Sequence, residues 1–195
     1  MVDKKWGYVD MTGQIVIEPQ FDYAAGFTSE GLALVSEGGE YGYIDKTGKF
    51  VISPQFQRAE SFSEGLALVL FSDGTTGYID TTGGRTAITL PNDASSADSF
   101  SEGLAAVTYR NGTTGYIDKT GNIVSAPRKY ISMGGSDAGL ICVALQTNQK
   151  WGCMDKTGQF VIPAQFDFVG VYQGLVNVTI GNKSGWMDTT GNYVW

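Results

Sequence analysis

Six aspartates, Asp10, Asp45, Asp80, Asp118, Asp155 and Asp188, each stand two residues before a threonine and three before a glycine. They recur at intervals of roughly 35 residues, a spacing that marks a tandem-repeat architecture. A carboxylate in such a motif can attack as a covalent nucleophile, bind a hard cation, or accept backbone N–H groups in a turn. Glu30, Glu64 and Glu102 recur in Ser-Glu-Gly turns, and carboxylates paired across a groove would suit glycoside hydrolysis. Trp6, Tyr41 and Trp151 occupy one equivalent place in the repeat and could stack on a sugar ring or anchor a protein partner. Cys142 and Cys153 complete the set. Histidine is absent, which removes the commonest general base and metal ligand.

Repetition argues against catalysis at these carboxylates. Asp45-Lys46-Thr47-Gly48, with copies from Asp118 and Asp155, resembles the core of the phosphorylated loop of P-type ATPases. That family continues Thr-Leu-Thr, however, where Lys49-Phe50 or Asn122-Ile123 stand here, and the chain has no apolar run long enough to span a bilayer. A turn explains the motif without a ligand, because Asp can accept a backbone N–H two residues on and Gly tolerates the left-handed region. The six aspartates are expected to be structural turn residues. No Asp-x-Asp-x-Asp loop supports calcium, so neither a metal nor a cofactor is expected. The three glutamates are expected to accept N–H groups where the chain re-enters a sheet.

A hairpin turning between residues 147 and 148 places Cys142 directly opposite Cys153, as Leu34 stands opposite Tyr43 around Gly38-Gly39. Opposed residues on antiparallel strands come close enough for a disulfide. Two reduced thiols filling space between sheets is the alternative. An oxidised pair would favour an extracytoplasmic or cell-surface location.

The elements that must position these residues are short strands. In the second repeat Leu32–Ser36, Tyr41–Asp45 and Lys49–Ile52 are separated by Gly38-Gly39 and Thr47-Gly48, which reads as a three-stranded meander. Asp73-Gly74 and Asn111-Gly112 mark the same hairpin later in the chain, and primed turns are expected there. Leu32 and Leu34 point to one face and Ala33 and Val35 to the other, so each sheet should be covered on both sides by its neighbours. In the connections, Pro19 and Pro54 are expected to end a strand, the aromatics to plug the seams, and the middle to add a fourth short strand. Pro91–Asp98 departs most from the pattern and is expected to be a polar, mobile loop; Ser132–Asp137 also drifts.

The fold expected is all-β: antiparallel three- to four-stranded units stacked as an open twisted array, with a closed propeller-like ring as the alternative. Residues 1–195 should form a single tandem-repeat domain of five to six units. Met1-Val2-Asp3 opening straight into a repeat suggests a fragment of a longer protein, with capping or frayed units at the N-terminus and at Trp195. A net charge of −7 and no basic run longer than Lys4-Lys5 argue against nucleic acid, and the short apolar runs argue against membrane insertion.

The string Trp-Gly-Tyr-x-Asp-x-Thr-Gly, then Pro-Gln-Phe-Asp and Phe-Ser-Glu-Gly-Leu-Ala-x-Val, resembles the bacterial WG-repeat (KWG) family. Lys5-Trp6-Gly7 and Lys150-Trp151-Gly152 carry the signature, while Tyr41, Thr76, Thr114 and Ser184 replace the Trp elsewhere. The resemblance covers nearly the whole chain and implies a binding or scaffolding role. A non-catalytic module for protein–protein or cell-surface interaction is therefore expected, with carbohydrate binding through Trp6, Tyr41 or Trp151 as the second reading. An enzyme with its site at residues 91–98 is the third.

Overall fold

The computed structural model describes residues 5–128 and 130–194. The expectations for Met1–Asp3, Lys4 and Trp195 lie outside the described residues. Among the described residues every regular element is a β-strand and every pairing is antiparallel. The chain divides into two compact units: residues 1–90 with 98–100, and residues 91–97 with 101–195.

The first unit holds three sheets. β1 (Trp6–Val9) pairs with β2 (Ile15–Phe21). β3 (Tyr23–Phe27), β4 (Ala33–Glu37), β5 (Glu40–Ile44) and β6 (Phe50–Phe56) form a four-stranded meander. The next is built from β7 (Arg58–Ala59), β8 (Leu66–Leu70), β9 (Thr76–Asp80) and β10 (Arg85–Thr89). The second unit repeats the plan. Its first meander is β11 (Ala94–Ala97), β12 (Leu104–Tyr109), β13 (Thr114–Asp118) and β14 (Ile123–Arg128). Its second is β15 (Tyr130–Asp137), β16 (Leu140–Leu145), β17 (Trp151–Met154) and β18 (Phe160–Phe166). β19 (Phe168–Tyr172), β20 (Leu175–Ile180) and β21 (Lys183–Met187) make the last sheet.

The middle of each connection does add a fourth strand, and it does so where the sequence pattern is weakest. Ala94–Ala97, expected as part of a mobile loop, pairs with β12. The segment is anchored by turn bonds, Ala94 N–H to the Pro91 carbonyl at 2.8 Å and Arg110 N–H to the Asp93 carbonyl at 2.9 Å, and by Ser95 Oγ donating to the Thr108 carbonyl at 3.0 Å. Ladder bonds use only the backbone, so a polar Ala-Ser-Ser-Ala segment serves an edge strand as well as an apolar one. Residues 132–137, which depart from the Phe-Ser-Glu pattern, likewise run as part of β15.

Prolines do not end the strands. Pro19 lies inside β2 and Pro54 inside β6, each at a register shift opposite the signature glycine. A bulge leaves one residue out of the ladder, so a residue without an N–H costs nothing there.

Both faces of the second repeat's meander are buried. Leu32, Leu34, Tyr43, Ile52 and Phe56 join Phe62, Ala67, Val69 and Ile79 of the following repeat in one cluster. On the opposite face Ala33, Val35 and Ile44 pack with Ile17 and Phe21 of the preceding one. The second unit has the same arrangement, with Leu140, Cys142 and Cys153 against Val169, Val176 and Met187. Within each unit a two-layered apolar strand pattern thus lets neighbouring sheets share their cores.

Candidate functional site

The Asp-x-Thr-Gly corners are turns, and their geometry repeats almost without variation. In the second repeat one Asp45 carboxylate oxygen accepts the Thr47 N–H at 2.8 Å, the Thr47 hydroxyl at 2.6 Å and the Lys49 N–H at 3.2 Å. The same set forms at Asp10, Asp80, Asp118, Asp155 and Asp188. The threonine hydroxyl and these N–H groups hold each carboxyl below the usual carboxylate range, for Asp188 at about 2. An oxygen already accepting three hydrogen bonds is a poor nucleophile.

The corner also seats one repeat on another. Gly48 has φ +85°, and a Cβ there would stand 3.1 Å from Cγ2 of Ile17; Gly83 meets Cγ1 of Ile52 in the same way. The glycine is needed twice, once for its backbone conformation and once for this close approach.

The signature glycine has a different task. A Cβ on Gly42 would lie 2.6 Å from the Ile52 carbonyl oxygen and 2.7 Å from the Pro54 nitrogen. At Gly7 the corresponding distances, to Ile17 and Pro19, are 2.4 and 2.7 Å, and at Gly152, to Ile162 and Ala164, 2.5 and 2.6 Å. The bulge of the fourth strand therefore rests directly on this glycine's α-carbon.

Next to it, the tyrosine of Gly-Tyr-x-Asp latches the following repeat. Tyr8, Tyr43 and Tyr78 donate their hydroxyls to the carbonyls of Ala25, Glu60 and Asp98 at 2.8, 2.7 and 2.6 Å. Their rings pack at a tilt against Phe27, Phe62 and Phe100 with centroids 4.9, 4.6 and 4.9 Å apart. Burial raises the ionisation points of all three phenols, so each remains a donor at any ordinary pH.

The recurring glutamates also act between repeats. Glu30 accepts the N–H of Gly65, the equivalent glycine one repeat on, at 2.8 Å. Burial pushes its carboxyl up, but the N–H groups of Gly65 and of Glu30 itself, with the Thr28 and Ser29 hydroxyls, more than offset this and hold it at about 2. Glu102 forms an ion pair with Lys156 at 3.1 Å. Glu64 and Glu102 have φ 55° and precede Gly65 and Gly103 at φ 83°, the pattern of a primed two-residue turn. Gly38-Gly39 is primed as expected. At Asp73-Gly74 and Asn111-Gly112 only the glycine has positive φ, because the Asp or Asn side chain accepts the N–H of Thr75 or Thr113 and closes a wider loop.

Cys142 and Cys153 pair directly across β16 and β17 and are joined by a disulfide with their Cα atoms 4.0 Å apart. They fill the places of Leu34 and Tyr43. Among the described residues no group of three His, Cys, Asp or Glu side chains could hold a metal ion.

Trp6 opens β1, Tyr41 is the second residue of β5 and Trp151 opens β17. Tyr41 is half-buried and its ring centroid lies 6.1 Å from that of Tyr23. Trp151 is also half-buried, with Phe168 at 6.1 Å. Trp6 is 56% exposed, next to the 2.6 Å ion pair of Lys5 with Asp22. Of the replacements at this position, Thr76 and Ser184 are exposed and Thr114 is buried. A further feature that the sequence did not single out is a groove of about 360 Å³ in the last sheet, lined by Phe166, Val178, Ile180, Lys183, Ser184, Gly185 and Tyr193.

Comparison with known sequences decides the family. The pattern described as "WG containing repeat" matches residues 6–41, 41–73, 115–144 and 151–183. The chain belongs to the WG-repeat family. No curated protein matches it. Its fold is similar to that of the computationally designed Ika8 protein, with 13% identity, a TM-score of 0.52, and 94% of this chain and 65% of that one covered. It is also similar to Hsv2 of Kluyveromyces lactis, with 11% identity, a TM-score of 0.50, and 85% and 58% covered. The chain thus spans less than two thirds of each of these structures. A repeat family whose recurring residues are spent on turns, bulges and latches is suited to binding or scaffolding.

Proposed function

We propose that this WG-repeat chain is a non-catalytic module that binds a protein partner through apolar surface at its first sheet. The supporting observation is that the residues the repeats share are held in turns, bulges and latches, while apolar side chains such as Val9 stand exposed. Trp6, Ile15 and Val16 of the same sheet are also exposed, and exposed apolar side chains offer contacts to a partner. Trp6 supplies the rigid aromatic anchor such interfaces favour. The Cys142–Cys153 disulfide suits an oxidising, extracytoplasmic setting.

Carbohydrate binding is the second reading, supported by Trp6 standing exposed beside the Asp22 carboxylate. Parallel protein and glycan arrays probed with the wild type, Trp6→Ala with Val16→Ser, and Trp151→Ala separate the two. Binding to a protein that the first variant abolishes supports the protein-partner reading. Glycan binding lost with Trp6→Ala or Trp151→Ala supports the second, and binding indifferent to all these changes overturns both.

A further inference from the structure

The hairpin between β12 and β13 carries Asn111-Gly112, the one place in the sequence where glycine follows asparagine. Both residues are exposed, and a Cβ built on Gly112 would meet nothing within 4 Å. The pair has a chemistry of its own. A backbone nitrogen can attack the carboxamide carbon of the asparagine before it, and glycine leaves that approach unobstructed because it has no side chain. Here the Gly112 nitrogen would bond to Cγ of Asn111 and close a five-membered succinimide. The carboxamide nitrogen leaves as ammonia, taking the proton that the backbone nitrogen gives up. Water then opens the ring. Hydrolysis of the new bond to Cγ restores the ordinary backbone with aspartate at 111, whereas hydrolysis at the α-carbonyl carbon leaves isoaspartate. The sum is asparagine and water giving an acid and ammonia, and no oxidant or reductant enters.

The folded turn occupies both reacting groups. Gly112 N–H donates to the Tyr109 carbonyl at 2.9 Å, and Oδ1 of Asn111 accepts the Thr113 N–H at 2.9 Å and the Thr113 hydroxyl at 2.6 Å. Attack therefore waits for the hairpin tip to open, a local event that is frequent in exposed loops. The third repeat displays the aspartate product. Phe71, Asp73, Gly74 and Thr75 stand where Tyr109, Asn111, Gly112 and Thr113 do in the fourth. Gly74 N–H donates to the Phe71 carbonyl at 3.0 Å, and the Asp73 carboxylate accepts the Thr75 N–H at 2.8 Å together with its hydroxyl. A carboxylate at 111 thus re-forms the same corner with one more negative charge. Isoaspartate has a side chain one methylene shorter and a backbone one methylene longer, so its carboxylate no longer reaches Thr113 in this way.

We propose that Asn111 is a self-modification site, a deamidation centre gated by opening of the β12–β13 hairpin. Its aspartate product refolds as the corner of the third repeat, and its isoaspartate product leaves the hairpin tip unclosed. The site uses no residue of the first sheet, so it stands or falls independently of partner binding there.

The test incubates the chain in mildly alkaline buffer and follows each asparagine by peptide mapping, with amide exchange on the separated products. Asn111 should be converted first. Thr113→Val, which removes the hydroxyl and keeps the N–H, should speed conversion about fivefold, and Thr113→Ser should restore the slow rate. The chain unfolded in urea should react faster than the folded one. Asn111→Asp should keep the exchange protection of the Gly112 and Thr113 amides, and the isoaspartyl form should lose it. The proposal is overturned if another asparagine reacts first, if neither Thr113→Val nor unfolding speeds the reaction, or if Asn111→Asp loses the turn's protection.

Discussion

The second and fifth repeats solve one packing problem with different chemistry. In the second, Leu34 faces Tyr43, and the tyrosine reaches into the next repeat to bond the Glu60 carbonyl and pack at a tilt against Phe62. In the fifth, both members of the facing pair are cysteine, and the position corresponding to Phe62 in the next repeat is Val171. The loss of the tyrosine therefore coincides with the loss of its aromatic partner. The disulfide binds two strands of one sheet, whereas the tyrosine binds one sheet to the next. Stability in the second repeat is thus shared across a seam, and in the fifth it is concentrated within a hairpin.

That contrast can be broken most severely at Tyr43. Tyr43→Ala should destabilise the chain by about 3–5 kcal/mol, the range for removing a buried aromatic. Tyr43→Phe, which keeps the ring and orphans the Glu60 carbonyl, should cost about 1–2 kcal/mol. Urea denaturation of the two variants measures both, and equal losses would show that the hydroxyl, not the ring, makes the latch. Reducing the disulfide, or replacing both cysteines with alanine, should cost about 3 kcal/mol for a loop of this length. Its effect on amide exchange should centre on β16 and β17, whereas Tyr43→Ala should loosen the seam on both sides.

A smaller effect compares two glycines. Gly42→Ala drives a Cβ into the Ile52 carbonyl at 2.6 Å, where backbone must move. At Gly77 the nearest atom is the Phe71 ring edge at 3.3 Å and the Ile88 carbonyl is 3.8 Å away. The third repeat lacks Pro-Gln-Phe; Gly77 pairs directly with Thr89, and the register shift falls between Arg85 and Thr89. Gly42→Ala should cost about 2–3 kcal/mol and Gly77→Ala under about 1 kcal/mol; comparable melting shifts would show that the bulge can slide.

Much of this was legible in the sequence, for reasons that particular residues make clear. The period of the aspartates gives the repeat, the Asp-x-Thr-Gly string gives the corner, and counting from the 147/148 turn places Cys142 against Cys153. All of these are local or rest on one hairpin's register. The tyrosine latch could not be read in this way, because its acceptor is a backbone carbonyl with no residue signature. Ala94–Ala97 was illegible as a strand for the same reason, since an edge ladder asks nothing of its side chains. Pro54 misled because its rule applies to an unbulged ladder, and the clue was the recurring glycine opposite it. The apolar groove went unseen because it arises from residues of β18, β20 and β21 and from Tyr193, which only the fold brings together.

The smallest expected effect is on pH, and it separates seam from hairpin once more. Glu30, in the seam between the second and third repeats, is held at about 2, as are the turn carboxylates Asp73 and Asp188, all below their values in an unfolded chain of about 4. A depressed carboxyl stabilises the fold fully above the unfolded value and loses that contribution as pH falls through the folded one. Stability should therefore be level above about pH 5 and decline between roughly pH 4 and pH 2. Glu30→Gln keeps an acceptor for the Gly65 N–H but removes the titration, so it should flatten part of that decline. Because the disulfide does not titrate, amide protection in β16 and β17 should outlast that at Gly65 during acidification. If Gly65 and the cysteine hairpin lose protection together, Glu30 is not the seam's acid-sensitive bond and the repeats unfold as one unit.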